Sequence, residues 1–263
     1  MTNAISRFFM RRRNWALPYA LFMLIFVVVP LLLIVYFAFT NEEGAFTLAN
    51  FQKFVQNPEA LNTFLYSLGI AIITTVACLL LGYPAAYILS QKEFKAGKAM
   101  VVLFILPMWV NILIRTLATV ALFDFLKLPL GEGALIFGMI YNFLPFMIYP
   151  IYNTLQKMDT SLIEAAHDLG AKRHQVFMKV TLPLSVPGIY SGIVMVFMPT
   201  VSTFAIAELL THNKVTLFGS LIQRCFGEGG IAMWNYGAAL SLIMLIIIGL
   251  TSFFGGDKED INR

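Results

Sequence analysis

The sequence predicts an all-α, polytopic integral membrane protein with six transmembrane helices, and three observations lead there. Hydrophobic residues make up 59% of the 263 and charged residues 12%, about half the charged share of a soluble domain. The apolar residues gather in six stretches, each able to supply the roughly 20 residues that a hydrocarbon core of about 30 Å requires. Finally, Lys and Arg alternate in density from one connection to the next: thirteen fall on one side of the predicted membrane and four on the other. The positive-inside rule then puts both termini and the 156–186 loop in the cytoplasm.

The first stretch, 16–39, is free of charge and follows Arg7, Arg11, Arg12 and Arg13. This imitates a secretory signal, but the apolar run exceeds the roughly 7–15 residues of a signal core and no small-residue cleavage site closes it. A retained span is expected. Five more are predicted at about 61–89, 99–123, 134–155, 187–210 and 233–254. Pro30, Pro84, Pro107, Pro145 and Pro199 lie inside spans and predict kinks or breaks, which membrane helices tolerate where neighbours satisfy the freed carbonyls. The longest outer connections are 40–60 and 211–232. The first carries turn chemistry at Asn41, Gly44, Asn57 and Pro58; the second is read as a loop with a glycine-rich, mobile stretch at 225–230.

One cytoplasmic connection stands apart. From Glu164 to Pro183 the chain is polar between two spans and reads as two short helices joined at Gly170. In the first, Leu162, Ile163, Ala166 and Leu169 fall near one face, and Glu164 and Asp168 stand four apart on another. Gly170 lets the chain leave the helix without a Cβ penalty. The second runs from Lys172 with Val176, Phe177 and Val180 as its apolar side, and Pro183 is expected to stop it. Small Ala165 and Ala166 let another surface approach. On pattern alone, such a helix serves equally as a cap on the lipid headgroups or as a docking element.

The spacing Glu164-Ala165-Ala166, three residues, Gly170, nine residues, Val180, one residue, Leu182-Pro183 resembles the EAA loop of ABC importer permeases, with Val180 replacing the commoner Ile. The stretches 106–115, 144–152 and 184–189 are similar to those of polyamine-importer permeases, and the resemblance runs from about residue 17 to about 249. It implies one permease domain over 1–263, with cytoplasmic ends 1–15 and 255–263 and a coupling loop at 156–186, set in the cytoplasmic membrane of a bacterial cell. It further implies that Glu164, Ala165, Ala166, Asp168, Leu169, Gly170, Leu182 and Pro183 meet a separate ATPase. The implied partners are a second permease subunit, two copies of that ATPase, an extracytoplasmic polyamine-binding protein and the lipid bilayer. ATP and Mg would sit on the ATPase, and this chain would bind no cofactor.

Several function classes have no support. Lys92 stands where a phosphate loop ending at Gly97-Lys98 needs its first glycine, and Ala99 follows where it needs Ser or Thr, so no ATP cradle is present. His167, His174 and His212 pair with no nucleophile, and Cys78 and Cys225 have no metal-ligand spacing; no catalytic or metal residue is assigned. The net charge of +4 follows from the inner-side Lys and Arg and needs no nucleic acid.

Ionisable groups within spans are costly unless functional or paired. Glu208, toward the outer end of the fifth predicted span, and Asp124, at the outer end of the third, are candidates for a cation path. Trp109, Tyr141, Tyr149 and Phe204 are candidate walls, since an ammonium gains roughly 0.5–2 kcal/mol over an aromatic face; in a chain with 14% aromatic residues, ordinary packing or an interfacial belt is the commoner role for each. Polyamine permeases also carry an acid in the equivalent part of the fifth span, which ranks Glu208 first. Arg115, deeper in the third span, would repel a polyamine, and a carboxylate or helix ends are expected to neutralise it. Two other readings compete: the same architecture carrying ferric iron, sulfate or molybdate, and a stand-alone secondary transporter, channel or scaffold. An anion or iron path would expose Arg115 and bury Glu208.

Overall fold

The computed structural model describes residues 16–91, 97–227 and 231–256. Those residues are mostly helical, and strand pairing among them is confined to one bridge, Thr40 with Phe46. Five helices are long and apolar enough to cross a membrane; a sixth crossing is counted if Ala99–Trp109 and Ile112–Phe125 form one span. The chain divides into two compact units, one of residues up to Asn57 with Ile222–Leu245, the other of Pro58–Leu221 with residues from Ile246.

In the first unit, α1 (Ala16–Met23) and α2 (Val29–Ala38) are joined by a π-turn, Leu24–Val28. That turn explains how Pro30 is carried without a break. Proline offers no N–H to the carbonyl four residues back, and widening the ladder by one residue hands such carbonyls a later donor. The Val29 N–H accordingly bonds the Leu24 carbonyl, five residues back. None of the apolar window of this span is buried, so its anchorage lies at its end. The Asn50 side-chain amide donates to the Ala38 and Thr40 carbonyls (3.0 Å each), and that of Asn235 to the Phe37 and Thr40 carbonyls (3.1 and 2.7 Å). These are the acceptors a helix C-terminus leaves over. The 40–60 connection contains helix α3 (Ala49–Gln56) with Phe54 buried.

The second unit is built on α7 (Glu132–Lys157), whose Leu135, Met139, Phe143, Met147 and Ile151 fall every fourth residue and are all buried. It follows α4 (Pro58–Ser90), α5 (Gly97–Ile105) and α6 (Ile112–Phe125). The later helices are α8 (Thr160–Asp168), α9 (Arg173–Val176), α10 (Leu182–Ser202) and α11 (Ala205–Thr211). Helices α4 and α10 pack on α7 and on each other. Lipid tails are as apolar as these side chains, so close backbone approach rather than water exclusion holds such helices. At Gly192 of α10, a Cβ would lie 3.2 Å from the Met147 carbonyl oxygen of α7.

Several expectations about the spans need correction. Helices α4 and α7 run unbroken through Pro84 and through Pro145 and Pro150. The third predicted span does break near Pro107, as expected. A 3₁₀ turn over Leu106–Trp109 containing Pro107 leads to extended Val110 and Asn111, and the chain bends by 98°. Asn111 starts the next helix by accepting the Leu113 N–H (2.8 Å), as an N-cap does. The fifth crossing spans Arg173–Ser202 rather than 187–210, and Thr203 is extended (φ −68°, ψ 147°). The Ser202 hydroxyl bonds the Met198 and Pro199 carbonyls, taking the acceptors left over where α10 ends. The 211–232 connection is no plain loop either: α12 (Phe218–Gly227) carries Cys225 in a buried position, and α13 (Ile231–Gly256) follows. The expected mobility of 225–230 falls partly on residues outside the described ones.

Candidate functional site

Helix α8 begins where the Asp159 carboxylate accepts the Ser161 N–H (2.9 Å), an N-cap bond. It ends in a Schellman motif. The Gly170 N–H bonds the His167 carbonyl (2.8 Å) and the Ala171 N–H the Ala166 carbonyl (3.1 Å), the paired bonds that satisfy the last acceptors of a helix. Gly170 has φ +79°, and a Cβ there would meet nothing within 4 Å. Its glycine is therefore required by backbone conformation, costing an L-residue about 1–2 kcal/mol, while the space around it stays open.

The face α8 turns outward holds most of the motif. Glu164, Ala165, Asp168 and Gly170 are exposed, and Leu169 is 88% exposed. Ile163 and Ala166 are half-buried. The expected common face therefore divides: Leu162 and Leu169 point away from the residues that α8 lays on its own chain.

The second half of the motif has the opposite character. From α9 the chain passes through a π-segment, Phe177–Thr181, into α10. Pro183 does not stop the helix, contrary to expectation, for the reason given at Pro30: the Leu182 N–H reaches back five residues to the Phe177 carbonyl. Arg173 and Ser202 thus bound one 30-residue rod, about 45 Å at 1.5 Å per residue. Leu182 is half-buried against the core of the bundle. Phe177 stands edge-on to Tyr83 and Tyr87 of α4, ring centres 5.9 and 5.3 Å away. Ser185 donates to the Leu182 carbonyl (2.8 Å). Its one proton being spent there, Tyr83 is the donor in the 3.0 Å contact between the two hydroxyls. Sequence reading missed Tyr83, Tyr87 and Ser185, which lie outside the motif and are tied to it by the fold.

The six residues proposed for a cation path lie on α6, α7 and α11 and at the two breaks that precede α6 and α11. Glu208 lies half-buried on α11, beyond the break at Thr203, not on the fifth crossing itself. Asp124, near the end of α6, is exposed. Trp109 at the bend is 85% exposed, and Tyr141, Tyr149 and Phe204 are 40–44% exposed. Neither described cavity is lined by any of the six. The neutralisation expected for Arg115 is not found: it is 7% exposed, and its Nε and Nη1 have no hydrogen-bond partner among the described residues. It sits in the first turn of α6, where the helix dipole is positive and offers a cation no help.

A family model described as "Binding-protein-dependent transport system inner membrane component" matches residues 78–256. The chain belongs to this family. It is 35% identical over 251 residues to the spermidine/putrescine transport system permease protein PotB of Escherichia coli (strain K12), covering 87% of this chain and 90% of that one. The PotB of Haemophilus influenzae is 33% identical over 254 residues, 88% of each chain. A PotB homolog of Mycoplasma genitalium is 31% identical over 257 residues, 92% of this chain and 90% of its own. Among solved structures, a chain of a bacterial alginate ABC transporter in complex with an alginate pentasaccharide-bound periplasmic protein superposes with a TM-score of 0.71 at 18% identity, covering 97% of this chain and 95% of that one. A chain of the MetNI methionine ABC transporter gives 0.60 at 20%, covering 74% and 92%. At those identities the structures establish the fold. The protein is an inner-membrane permease component of the binding-protein-dependent type, all-α and polytopic.

Proposed function

We propose that this chain is one of two permease subunits of an ATP-driven importer of polyamines such as spermidine and putrescine, and that α8 couples it to a separate ATPase. The observation that carries the coupling reading is the join between an exposed end and a rigid one. The outward face around Leu169 and Gly170 has room for a partner, and across the Gly170 turn α8 packs on α9 and on the π-segment, which run on into α10 without a break. A push on α8 by ATPase closure therefore moves α10 and, through Phe177 and Ser185, α4. Coupling of this kind needs a contact that differs between two states, and Glu164 to Gly170 would supply it. ATP and Mg would bind the ATPase, with a binding protein delivering cargo at the opposite face and both termini on the ATPase side.

The cargo rests on the polyamine permeases named above and on charge. An anion path would expose Arg115 and bury Glu208; the arrangement is the reverse, with Arg115 buried and Glu208 partly accessible. Glu208, Asp124, Trp109, Tyr141, Tyr149 and Phe204 would line half of a path whose other half the second permease supplies, which accounts for their exposure in the single chain. Labelled spermidine uptake by the reconstituted complex tests the cargo: the native complex is expected to accumulate it with ATP, and sulfate or ferric uptake in its place would refute this reading.

A further inference from the structure

The Gly170 turn folds α9 back beside α8, and in doing so it brings His167 and Arg173 onto the wall of one cavity of about 270 Å³. The facing wall is formed by the ends of two membrane-crossing helices, Tyr87, Ser90 and Gln91 after α4 and Leu155 and Met158 at the end of α7. Among the described residues no carboxylate lines it. Its polar lining comprises a guanidinium, an imidazole, three further hydroxyl-bearing residues besides Tyr87 and one amide, and its floor is apolar, with Ile163, Val176 and Phe177. Such a site rejects a polyamine and suits an anion with a short carbon body. Arginine's planar fork matches phosphate oxygens, and hydroxyl and amide donors complete such a set. The space is below the roughly 300–1,000 Å³ of drug-sized pockets, enough for a glycerophosphate and tight for a nucleotide. It also lies at the level where α4 and α7 end, which is where phospholipid phosphates are found.

We propose that this cavity is a phosphate-ester site, filled by the head of an anionic phospholipid or by a free phosphomonoester, and that its occupancy stiffens the joint between the coupling segment and the bundle. The ligand bridges Arg173 and His167 on the moving segment to Ser90 and Gln91 at the fixed helix ends. Binding stands on the cavity alone; the effect on coupling rests on the role proposed above for α8.

The test is binding to the purified complex by titration calorimetry, with dihexanoyl phosphatidylglycerol, glycerol 1-phosphate and dihexanoyl phosphatidylcholine as the three ligands. The native complex is expected to bind one or both of the first two and not the zwitterion. Arg173→Gln should weaken binding at least tenfold, Arg173→Lys less, and Lys214→Gln, outside the cavity lining, not at all. Preference for phosphatidylglycerol identifies a lipid; equal or tighter glycerol phosphate binding identifies a free ester. No binding of either anion at millimolar concentration, or unaltered binding in Arg173→Gln, overturns the site. In parallel, the ratio of uptake to ATP hydrolysis should rise two-fold or more when the site is filled. If binding is present but that ratio is flat while Gly170→Asp still uncouples the complex, the stiffening role fails and the coupling role of α8 stands.

Discussion

The hydroxyl oxygens of Tyr83 and Ser185 lie 3.0 Å apart in the interior of the bundle. Tyr83 is in the second crossing and Ser185 two residues past the motif proline, so this bond fastens the end of the coupling segment to a helix that the motif does not mention. Each residue is at most 8% exposed, and a buried hydroxyl stripped of its partner costs roughly 1–3 kcal/mol.

Tyr83→Phe and Ser185→Ala should each lower the stability of the purified permease by about 1 kcal/mol, and the double variant by less than the sum, because both remove the same bond. Thermal unfolding of the four proteins in one detergent checks this; strict additivity would show that the hydroxyls do not interact.

Phe177→Ala should cost about 2 kcal/mol, roughly half of what a fully buried phenylalanine loses, since Phe177 is partly accessible. Its second effect is on transmission: ATP hydrolysis by the assembled complex should persist while spermidine uptake falls several-fold. Equal loss of both activities would mean that the ring holds the fold and transmits nothing.

The sequence makes the spans and the motif legible, because both are local. Apolar runs of about 20 residues and a spacing over 164–183 need no tertiary information. What it hides is where a proline acts. Pro30 and Pro183 are absorbed by π-turns, Pro84 and Pro145 by unbroken helix, and Pro107 alone belongs to a sharp bend. At Pro30 and Pro183 an N–H one residue before the proline reaches back five residues, and the proline itself does not announce such a turn. The candidate path was less legible for another reason: Glu208 follows a break at Thr203 that no strong breaker marks, and exposed aromatics declare no partner.

Gly170→Ala should weaken ATPase association by about 1 kcal/mol through the cost of the left-handed turn, whereas Gly170→Asn should be nearly neutral. Binding of purified ATPase to the permease in nanodiscs distinguishes them. An equal loss for both would point to a contact with the partner instead of a conformational need.

Leu169→Ala should leave the unfolding temperature of the permease unchanged, since the side chain touches little of its own chain, yet weaken ATPase binding tenfold or more if it is a central anchor. A lowered unfolding temperature with normal binding would assign Leu169 to the fold.

Burial pushes the Cys225 thiol above its ordinary range, with nearby Lys53 opposing in part. The native state therefore holds its proton more tightly than the unfolded chain. This stability is fully present below the unfolded thiol pKa of about 8.5 and lost as pH rises through the higher native value. Cys225→Ala should flatten the decline in stability as the pH rises above about 8.5, and maleimide should label the native thiol slowly at pH 8. Rapid labelling there would show an open site.

The measurement that bears most directly on the coupling role is paired ATP hydrolysis and spermidine uptake in proteoliposomes, for the native complex, Gly170→Asp and Glu208→Gln. The account predicts that Gly170→Asp abolishes polyamine-stimulated hydrolysis and uptake together, and that Glu208→Gln loses uptake with basal hydrolysis intact. Full coupling in Gly170→Asp would contradict it, because the exposed end of α8 would then carry no signal into the rod above it.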